Sequence, residues 1–262
     1  MAATDTHETL EEHMQLQRVF RILTIDIPDK RLARKLQAVE AKLAELYHGS
    51  LSNTSLDGNA HDRNPRETKR LEDIKAAYVA ERNKLHGTQD EWPTTHRITK
   101  DVLADVLERL GMPLSPNEVD DLVWEVNDGL DGAVSWDEYN RSFLRCKHDK
   151  TYLEPTLLFH MTCFIMYDRE CTGKVSMDDA MHMLFLKYGN HMEAEMEALF
   201  GKQLRDDEFV LTLTFSQYVE ALERRRIDQI DQLGLLGKVG AKRQAKATQA
   251  LPPPHDAATN AH

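Results

Sequence analysis

Apolar and charged residues alternate with a helical period in the first third of the chain. Between Pro28 and His48 the apolar positions recur at steps of four and three and form a heptad seam, which consists of Leu32, Leu36, Val39, Leu43 and Leu46. A second helical pattern, from Leu71 to Leu85, follows a polar linker over residues 49–65 that favours turns. The pattern predicts two helices that form either an antiparallel hairpin, which we favour, or an arm that pairs with another chain. Upstream, an amphipathic stretch from Leu10 to Leu23 predicts a further helix that ends before Pro28.

Short amphipathic helices broken by acidic, glycine-containing loops follow from about Trp92 to Glu223. The clearest helix start is at Ser115, which can cap the helix, while Pro116 fits its first turn and Glu118 completes a capping box. The buried stripe of this helix would consist of Val119, Leu122, Val123 and Val126. Beyond residue 224 the chain is rich in Gln, Ala, Lys and Gly, a composition typical of a disordered tail.

Charge is concentrated in the middle of the chain. The 262 residues carry 33 Lys and Arg against 44 Asp and Glu, a formal net charge of -11, and residues 91–223 alone carry 12 basic against 26 acidic residues. This balance excludes a generally basic nucleic-acid-binding protein. No apolar run approaches the roughly 20 residues of a membrane span, and the first five residues lack the features of a signal peptide. We therefore expect a cytoplasmic protein without a membrane partner.

Catalytic and cysteine motifs are missing from the sequence. It contains no HExxH motif and no Ser/His/Asp or Cys/His nucleophile signature, so we predict no enzymatic activity. Three cysteines without CxxC spacing exclude a disulfide framework and a cysteine zinc site.

The segment 168–179 (DRECTGKVSMDD) lies between two apolar helical patterns and resembles the loop of the EF-hand, a calcium-binding helix-loop-helix unit. In that family, oxygens come from loop positions one, three, five, nine and twelve and from the carbonyl at seven, with glycine at six. The resemblance implies the ligands Asp168, Glu170, Thr172, the Lys174 carbonyl, Ser176 and Asp179, with Gly173 at the turn and Val175 at the apolar eighth position. Glu170 is longer and Asp179 is shorter than the usual ligand, which lowers calcium affinity and favours six-coordinate magnesium. Two interpretations stay open: a weak site for Ca2+ or Mg2+, and a loop that keeps its fold without metal. Cys171, at the fourth loop position, is expected to be exposed.

The segment 127–138 resembles a second EF-hand loop. The implied ligands are Asn127, Asp131, the Ala133 carbonyl, Ser135 and Glu138, with Gly132 and Val134 at the turn and eighth positions. Asn127 replaces the usual first aspartate, and Gly129 offers no side chain at the third position. We therefore expect this loop to hold no metal, so that the chain binds at most one calcium ion, and weakly.

EF-hands occur in pairs, and the repeat period leads to two further segments, 91–102 and 206–217. Both keep an apolar eighth residue, Ile98 and Leu213, but both lack the turn glycine and the twelfth carboxylate, so neither is expected to bind calcium. The resemblance over residues 70–223 implies an all-α fold with two paired EF-hand lobes, similar to calmodulin. The predicted divisions are a helical arm with its linker (1–66), the first pair (67–150), the second pair (151–223) and a basic tail (224–262). We expect the lobes to fold without residues 1–65.

Methionines are concentrated in the third and fourth hands, which hold Met161, Met166, Met177, Met181, Met183, Met192 and Met196. Their flexible thioether side chains suit a groove for a partner helix, as in calmodulin, and equally suit a core. Both interpretations stay open.

The combined pattern predicts a non-enzymatic structural adaptor that binds protein partners, namely helices of a larger complex, largely without calcium. Degenerate hands with a helical arm and a basic tail resemble the EF-hand proteins of cilia and flagella. That resemblance implies tubulin or axonemal proteins as partners and the axoneme as the location. The alternatives are a calcium or magnesium sensor that uses the 168–179 loop to regulate a bound target, and a regulatory subunit of an enzyme.

Overall fold

The computed structural model describes residues 10–52, 65–87, 92–151, 153–192, 196 and 212–232, and these are mostly helical. The helices are α1 (Leu10–Arg21), α2 (Ile27–Ser52), α3 (Pro65–Gly87), α4 (Lys100–Arg109), α5 (Pro116–Trp124), α6 (Trp136–His148), α7 (Leu157–Tyr167), α8 (Met177–Tyr188) and α9 (Phe215–Gln232). The strands are β1 (Ile98–Thr99), β2 (Ala133–Val134), β3 (Lys174–Ser176) and β4 (Thr212–Thr214). Within these ranges, no helix is both long and apolar enough to cross a membrane.

The predicted start of the tail at residue 224 lies inside a helix. Helix α9 continues to Gln232, through residues 224–232 that the sequence assigned to the tail. Residues 233–262 lie outside the described ranges.

Two short antiparallel ladders join the loops in pairs. Strand β1 pairs with β2, with Ile98 opposite Val134, and β3 pairs with β4, with Val175 opposite Leu213. These four residues are the ones that the spacing assigned to the eighth loop positions, and all four are buried. Each ladder therefore fixes two loops side by side and directs a pair of apolar side chains into the core.

The predicted start of α5 is confirmed. The Ser115 hydroxyl accepts a hydrogen bond from the Glu118 backbone N–H at 3.4 Å, and the Glu118 carboxylate accepts one from the Ser115 N–H at 2.8 Å. Pro116 lies in the first turn, where no intrahelical partner is needed for its missing N–H. All four residues of the predicted stripe are buried, although the last of them, Val126, lies two residues beyond the end of α5.

The chain does not break before Pro28 as predicted. A π-helical segment, Ile22–Asp26, joins α1 directly to α2. Pro28 has no N–H, and its ring would collide with the carbonyl group of Thr24 in a regular α-helix. In the π-helical segment the N–H of Ile27 donates to the Ile22 carbonyl, five residues back. The wider turn accommodates the proline without ending the helix.

Helix α1 and the π-helical segment belong to the main hydrophobic core. Leu16, Val19, Phe20 and Leu23 are fully buried and lie in one cluster with residues of α4 to α9. The Phe20 ring centroid lies 5.3 Å from that of Trp136 and 5.4 Å from that of Tyr139. In the first turn of α1, the buried Glu12 carboxylate lies 2.6 Å from Lys147 Nζ of α6. Arg18, further along α1, donates to the Met166 carbonyl of α7. The separation of this segment from the core, on which the expectation that the lobes fold without residues 1–65 depends, is therefore not found in the structure, and we expect the deletion to open this core.

Helices α2 and α3 run antiparallel. Three contacts define the direction: Asp29 with Arg82, Glu40 with Lys75, and Tyr47 with Glu72. Leu32, Val39 and Leu43 of the heptad seam are buried, whereas α3 contains no buried residue. The contact between the two helices is therefore narrow, and ion pairs flank it.

The ion pair at the base of these helices predicts a specific acid dependence. The Asp29 carboxylate accepts hydrogen bonds from Arg82 at 2.6 Å and 3.0 Å and lies 2.8 Å from His86 Nε2. The hydrogen bonds from Arg82, then those from His86, lower the pKa of Asp29 to about 2, against the opposing effect of burial. Because this folded-state pKa lies below the unfolded value, the stabilisation is present above about pH 4 and is lost as the pH falls towards 2.

We expect Asp29→Asn to lower the free energy of unfolding by about 1 kcal/mol at pH 5, a value reduced by solvent screening of the half-exposed Arg82. In urea titrations the difference between wild type and this variant should shrink as the pH is lowered from 5 to 2. Glu40→Gln, which removes an exposed ion pair with Lys75, is the matched control and should change stability by less than about 0.5 kcal/mol. A difference for Asp29→Asn that stays constant down to pH 2 would contradict this account.

Candidate metal-binding loops

Each candidate loop ends in a capping box at the start of a helix. In loop 127–138, Ser135 caps α6: its hydroxyl accepts from the Glu138 N–H, and the Glu138 carboxylate accepts from the Ser135 N–H at 2.8 Å. Ser176 and Asp179 form the same arrangement at the start of α8. The predicted ninth and twelfth ligands are thus brought together in both loops. A serine followed three residues later by an acidic residue is a pattern that the sequence displays directly.

The side-chain amide of Asn127 lies between two of the predicted ligand oxygens. Asn127 is buried, and its Nδ2 donates to Asp131 Oδ1 at 2.8 Å and to the Ala133 carbonyl at 2.5 Å. Its Oδ1 accepts from the Gly132 N–H at 3.4 Å. The network assigns the two ends of the amide, because both neighbours of Nδ2 are acceptors and the neighbour of Oδ1 is a donor. The amide hydrogens therefore form hydrogen bonds with the oxygens at the fifth and seventh loop positions, those of Asp131 and Ala133.

The carboxylates of loop 127–138 are stabilised as anions by donors of the chain itself. Burial alone would raise the pKa of Glu138, but hydrogen bonds from Ser135 and from the Gly129 N–H, at 2.9 Å, outweigh it and keep that pKa below its usual value. The hydrogen bond from Asn127 is the main cause that lowers the pKa of Asp131. The Asp128 carboxylate instead forms an ion pair with Arg141 of α6.

In loop 168–179 the implied first and fifth ligands, Asp168 and Thr172, contact each other, whereas the implied third ligand, Glu170, points away from them. The buried Asp168 accepts from the N–H and the hydroxyl of Thr172, both at 2.9 Å, and from the Gly173 N–H at 2.6 Å. Glu170 is exposed, and its carboxylate lies 3.2 Å from Lys30 Nζ of α2. Lys174 begins β3, opposite Thr214 of β4.

The two loops differ in how well they suit a divalent cation. Loop 127–138 does not suit one, because hydrogens of Asn127 point at the oxygens that would have to coordinate it. Loop 168–179 suits one in part: Asp168 contacts Thr172 and Ser176 contacts Asp179, whereas Glu170 is turned to Lys30. Across the described ranges, no group of three or more His, Cys, Asp or Glu side chains forms a metal-binding cluster. The outer segments are described only from residues 92 and 212 onward.

Two further expectations concern the sulfur-containing residues. Met161 and Met183 are fully buried in the core, and Met177, Met181 and Met192 are partly buried against it. The expectation that Cys171 is exposed is wrong: its side chain is buried, and burial raises the pKa of its thiol to about 11. The thiol is therefore protonated at neutral pH and is a poor nucleophile.

Residues 94–146 match the family model described as an EF-hand domain pair. This span contains β1, β2, helices α4 and α5, loop 127–138 and most of α6. The match supports membership of this part of the chain in the EF-hand superfamily, a family that is typically non-enzymatic and includes calcium-binding and regulatory proteins. No curated protein matches the chain.

Proposed function

We propose that this chain is a non-enzymatic EF-hand adaptor of a larger assembly, and that its EF-hand pairs keep one conformation with or without calcium. The observation that carries the proposal is the position of Asn127 Nδ2, 2.8 Å from Asp131 Oδ1 and 2.5 Å from the Ala133 carbonyl. In a sensor, calcium changes the conformation because it binds one conformation better than the other. In loop 127–138 an amide group already supplies the hydrogen bonds that order these oxygens.

The proposal includes a second EF-hand pair in residues 151–223. It is supported by the second ladder, in which Val175 lies opposite Leu213 as Ile98 lies opposite Val134. The matching capping boxes of loops 127–138 and 168–179 support it independently. In this four-hand arrangement, α2 belongs to the helical arm of residues 1–66, and α3 begins the first pair, residues 67–150.

Helix α1 supports a permanently closed structure. A sensor exposes an apolar groove when calcium binds and covers it with a target helix. Here a helix of the same chain lies among the aromatic residues Trp136 and Tyr139, with Phe20 fully buried. The apolar surface of the pair is covered by an internal helix, so closure needs no external partner.

The second candidate is a calcium or magnesium sensor that uses loop 168–179 to regulate a bound target. Two contacts between implied ligands favour it: the Thr172 hydroxyl donates to Asp168 at 2.9 Å, and the Ser176 hydroxyl donates to Asp179 at 2.7 Å. Glu170, turned to Lys30, weakens this candidate. The narrower proposal of a ciliary or flagellar adaptor with axonemal or tubulin partners, and the proposed cytoplasmic location, rest on the sequence pattern alone.

Calcium independence is tested on the thermal unfolding of the full chain and on its partners. We expect the wild-type melting temperature to be the same in excess EGTA and in about 1 µM free calcium, which is too little to fill a weak site, and pull-downs in EGTA and in millimolar calcium to recover the same partners. Asn127→Asp replaces two hydrogen-bond donors with a third carboxylate beside Asp131 and Glu138. In EGTA this variant should lose about 1–3 kcal/mol of stability, and calcium should restore part of it by binding the folded state.

Asn127→Ala is the matched control, because it removes the donors without adding a charge. It should be destabilised in both buffers to the same extent. A wild-type melting temperature that already rises in about 1 µM free calcium, or partners released by EGTA, would replace the adaptor with the sensor. An Asn127→Asp variant as stable as wild type in EGTA would refute the role given to the amide.

A further inference from the structure

A groove with an apolar floor and an acidic rim runs between α5 and α9. Its volume is about 510 Å3, and Leu153, Pro155 and Thr156, which precede α7, close one side of it. The side chains of Trp124 and Leu153 line it and are 73% and 63% exposed. Large apolar side chains that remain this exposed beside one another are typical of protein interaction sites, and tryptophan is prominent among residues that dominate binding energy.

The rim of this groove carries an excess of negative charge. Glu118, Asp121, Glu125 and Glu223 line it, against the single cation Arg226, which already bonds to Glu223 at 3.3 Å. Within the described ranges, Asp121 and Glu125 form no ion pair with a basic side chain. Burial raises the pKa of Glu125, and the neighbouring Asp121 carboxylate raises it further, while the charge of Arg226 offsets part of this rise. A cationic group placed here would relieve the repulsion between these two carboxylates.

We propose that this groove binds a basic segment of a partner protein, which inserts one large apolar side chain between Trp124 and Leu153 while its lysines or arginines face Asp121 and Glu125. The inference rests on the proposed function, because an adaptor requires a partner, and it specifies the chemistry of that partner. The lining of this groove contains no residue of α1 and neither Trp136 nor Tyr139, so it differs from the apolar surface that α1 covers.

The basic tail of the chain itself is a competing occupant. Helix α9 continues past Arg226 to Gln232, so the tail begins about 9 Å further along the helix axis, at 1.5 Å per residue. It would have to reverse direction to reach Trp124. A partner segment meets no such constraint, and we therefore assign the groove to a partner.

The test uses the full chain and a short fluorescein-labelled synthetic helix with a lysine face and one phenylalanine anchor. We expect saturable binding by fluorescence anisotropy that weakens as salt is raised. Trp124→Ala should weaken binding by about tenfold or more, and the double variant Asp121→Asn, Glu125→Gln should weaken it and reduce its salt dependence. Trp124 is exposed, so its replacement should leave the melting temperature unchanged.

Two matched controls separate this groove from general surface effects. Leu130→Ala removes an equally exposed apolar side chain outside the groove, and Asp120→Asn removes a neighbouring carboxylate that pairs with Lys100. Both should bind the probe like wild type. A probe peptide in which serine replaces phenylalanine should bind at least about tenfold more weakly.

Several results would overturn the inference. The first is no saturable binding below about 100 µM, and the second is equal loss of binding in the control variants. A synthetic peptide of residues 233–250 that displaces the probe and binds more tightly would assign the groove to the tail. A concentration-dependent dimer that Trp124→Ala abolishes would assign it to a second copy of the chain. Because the adaptor is tested by its insensitivity to calcium, failure of the probe with an unchanged melting temperature would reject the groove alone.

Discussion

Replacing Phe20 with alanine is expected to lower the free energy of unfolding by about 3–5 kcal/mol, the range for removing a large aromatic side chain from a packed core. The Phe20 ring is fully buried and contacts Trp92, Trp136 and Tyr139. Alanine would leave a cavity, and the neighbouring rings could fill it only by giving up contacts that they make elsewhere in the core. Urea unfolding followed by circular dichroism measures the loss.

Met14→Ala is the matched control for Phe20→Ala. Met14 lies on the same helix but is more than half exposed, so its replacement should change stability by less than about 0.5 kcal/mol. Equal effects of the two substitutions would show that α1 is held to the rest of the chain by something other than Phe20. If the Phe20→Ala protein kept wild-type stability, α1 would be an attached arm, as the sequence alone suggested.

The local features of this fold were predictable because they depend on residues close together in sequence. The capping box of Ser115 and Glu118 needs only four consecutive residues, and the structure contains it. The pairing of Ile98 with Val134 followed from a repeat period and from the known preference of EF-hands for pairs. Spacing could therefore identify the residues of the ladder without any knowledge of the core.

The place of α1 could not be predicted in the same way. The amphipathic stretch from Leu10 to Leu23 was predicted, and its Phe20 and Leu23 are buried although Leu10 is exposed. The pattern does not specify which surface covers the helix. The covering surface comes from Trp136, Tyr139 and other residues more than a hundred positions away. The break expected at Pro28 failed for a different reason, since a wider π-helical turn accommodates proline and leaves no signature in composition.

The candidate loops were predictable in their residues and not in their hydrogen bonds. The sequence identified Asn127 as a departure from the usual aspartate, yet only the geometry reveals that its amide donates to Asp131 and Ala133. Glu170 is equally instructive, because its exposed pair with Lys30 depends on the position of α2. The sequence did contain an indication of the groove between α5 and α9. Trp124 lies outside the apolar stripe of its own helix, which marks it as a large apolar residue on the solvent-facing side.

The contact between loop 168–179 and α4 should be among the most sensitive points of the structure. Gly173 has a φ of +77°, and a Cβ atom there would lie 2.9 Å from the carbonyl oxygen of Leu110, the residue that ends α4. Because the obstructing atoms belong to the backbone, they cannot rotate away as a side chain would. The loop and α4 would have to separate. The hydrogen bond from the Phe215 N–H to the Gly173 carbonyl opposes this movement, because it holds the loop in place.

We therefore expect Gly173→Ala to lower the free energy of unfolding by about 2–4 kcal/mol, through the disfavoured backbone conformation and the forced displacement together. Gly132→Ala is the matched control: Gly132 holds the same sixth position in loop 127–138 and its φ is +79°, but the nearest atom to the added Cβ is Lys100 Cε at 4.0 Å, so the loss should be about 1–2 kcal/mol. The difference between the two variants in urea unfolding isolates the contact with Leu110. Equal losses would mean that loop 168–179 does not press against α4, and the loop would then be free to rearrange around a metal ion, as the sensor alternative requires.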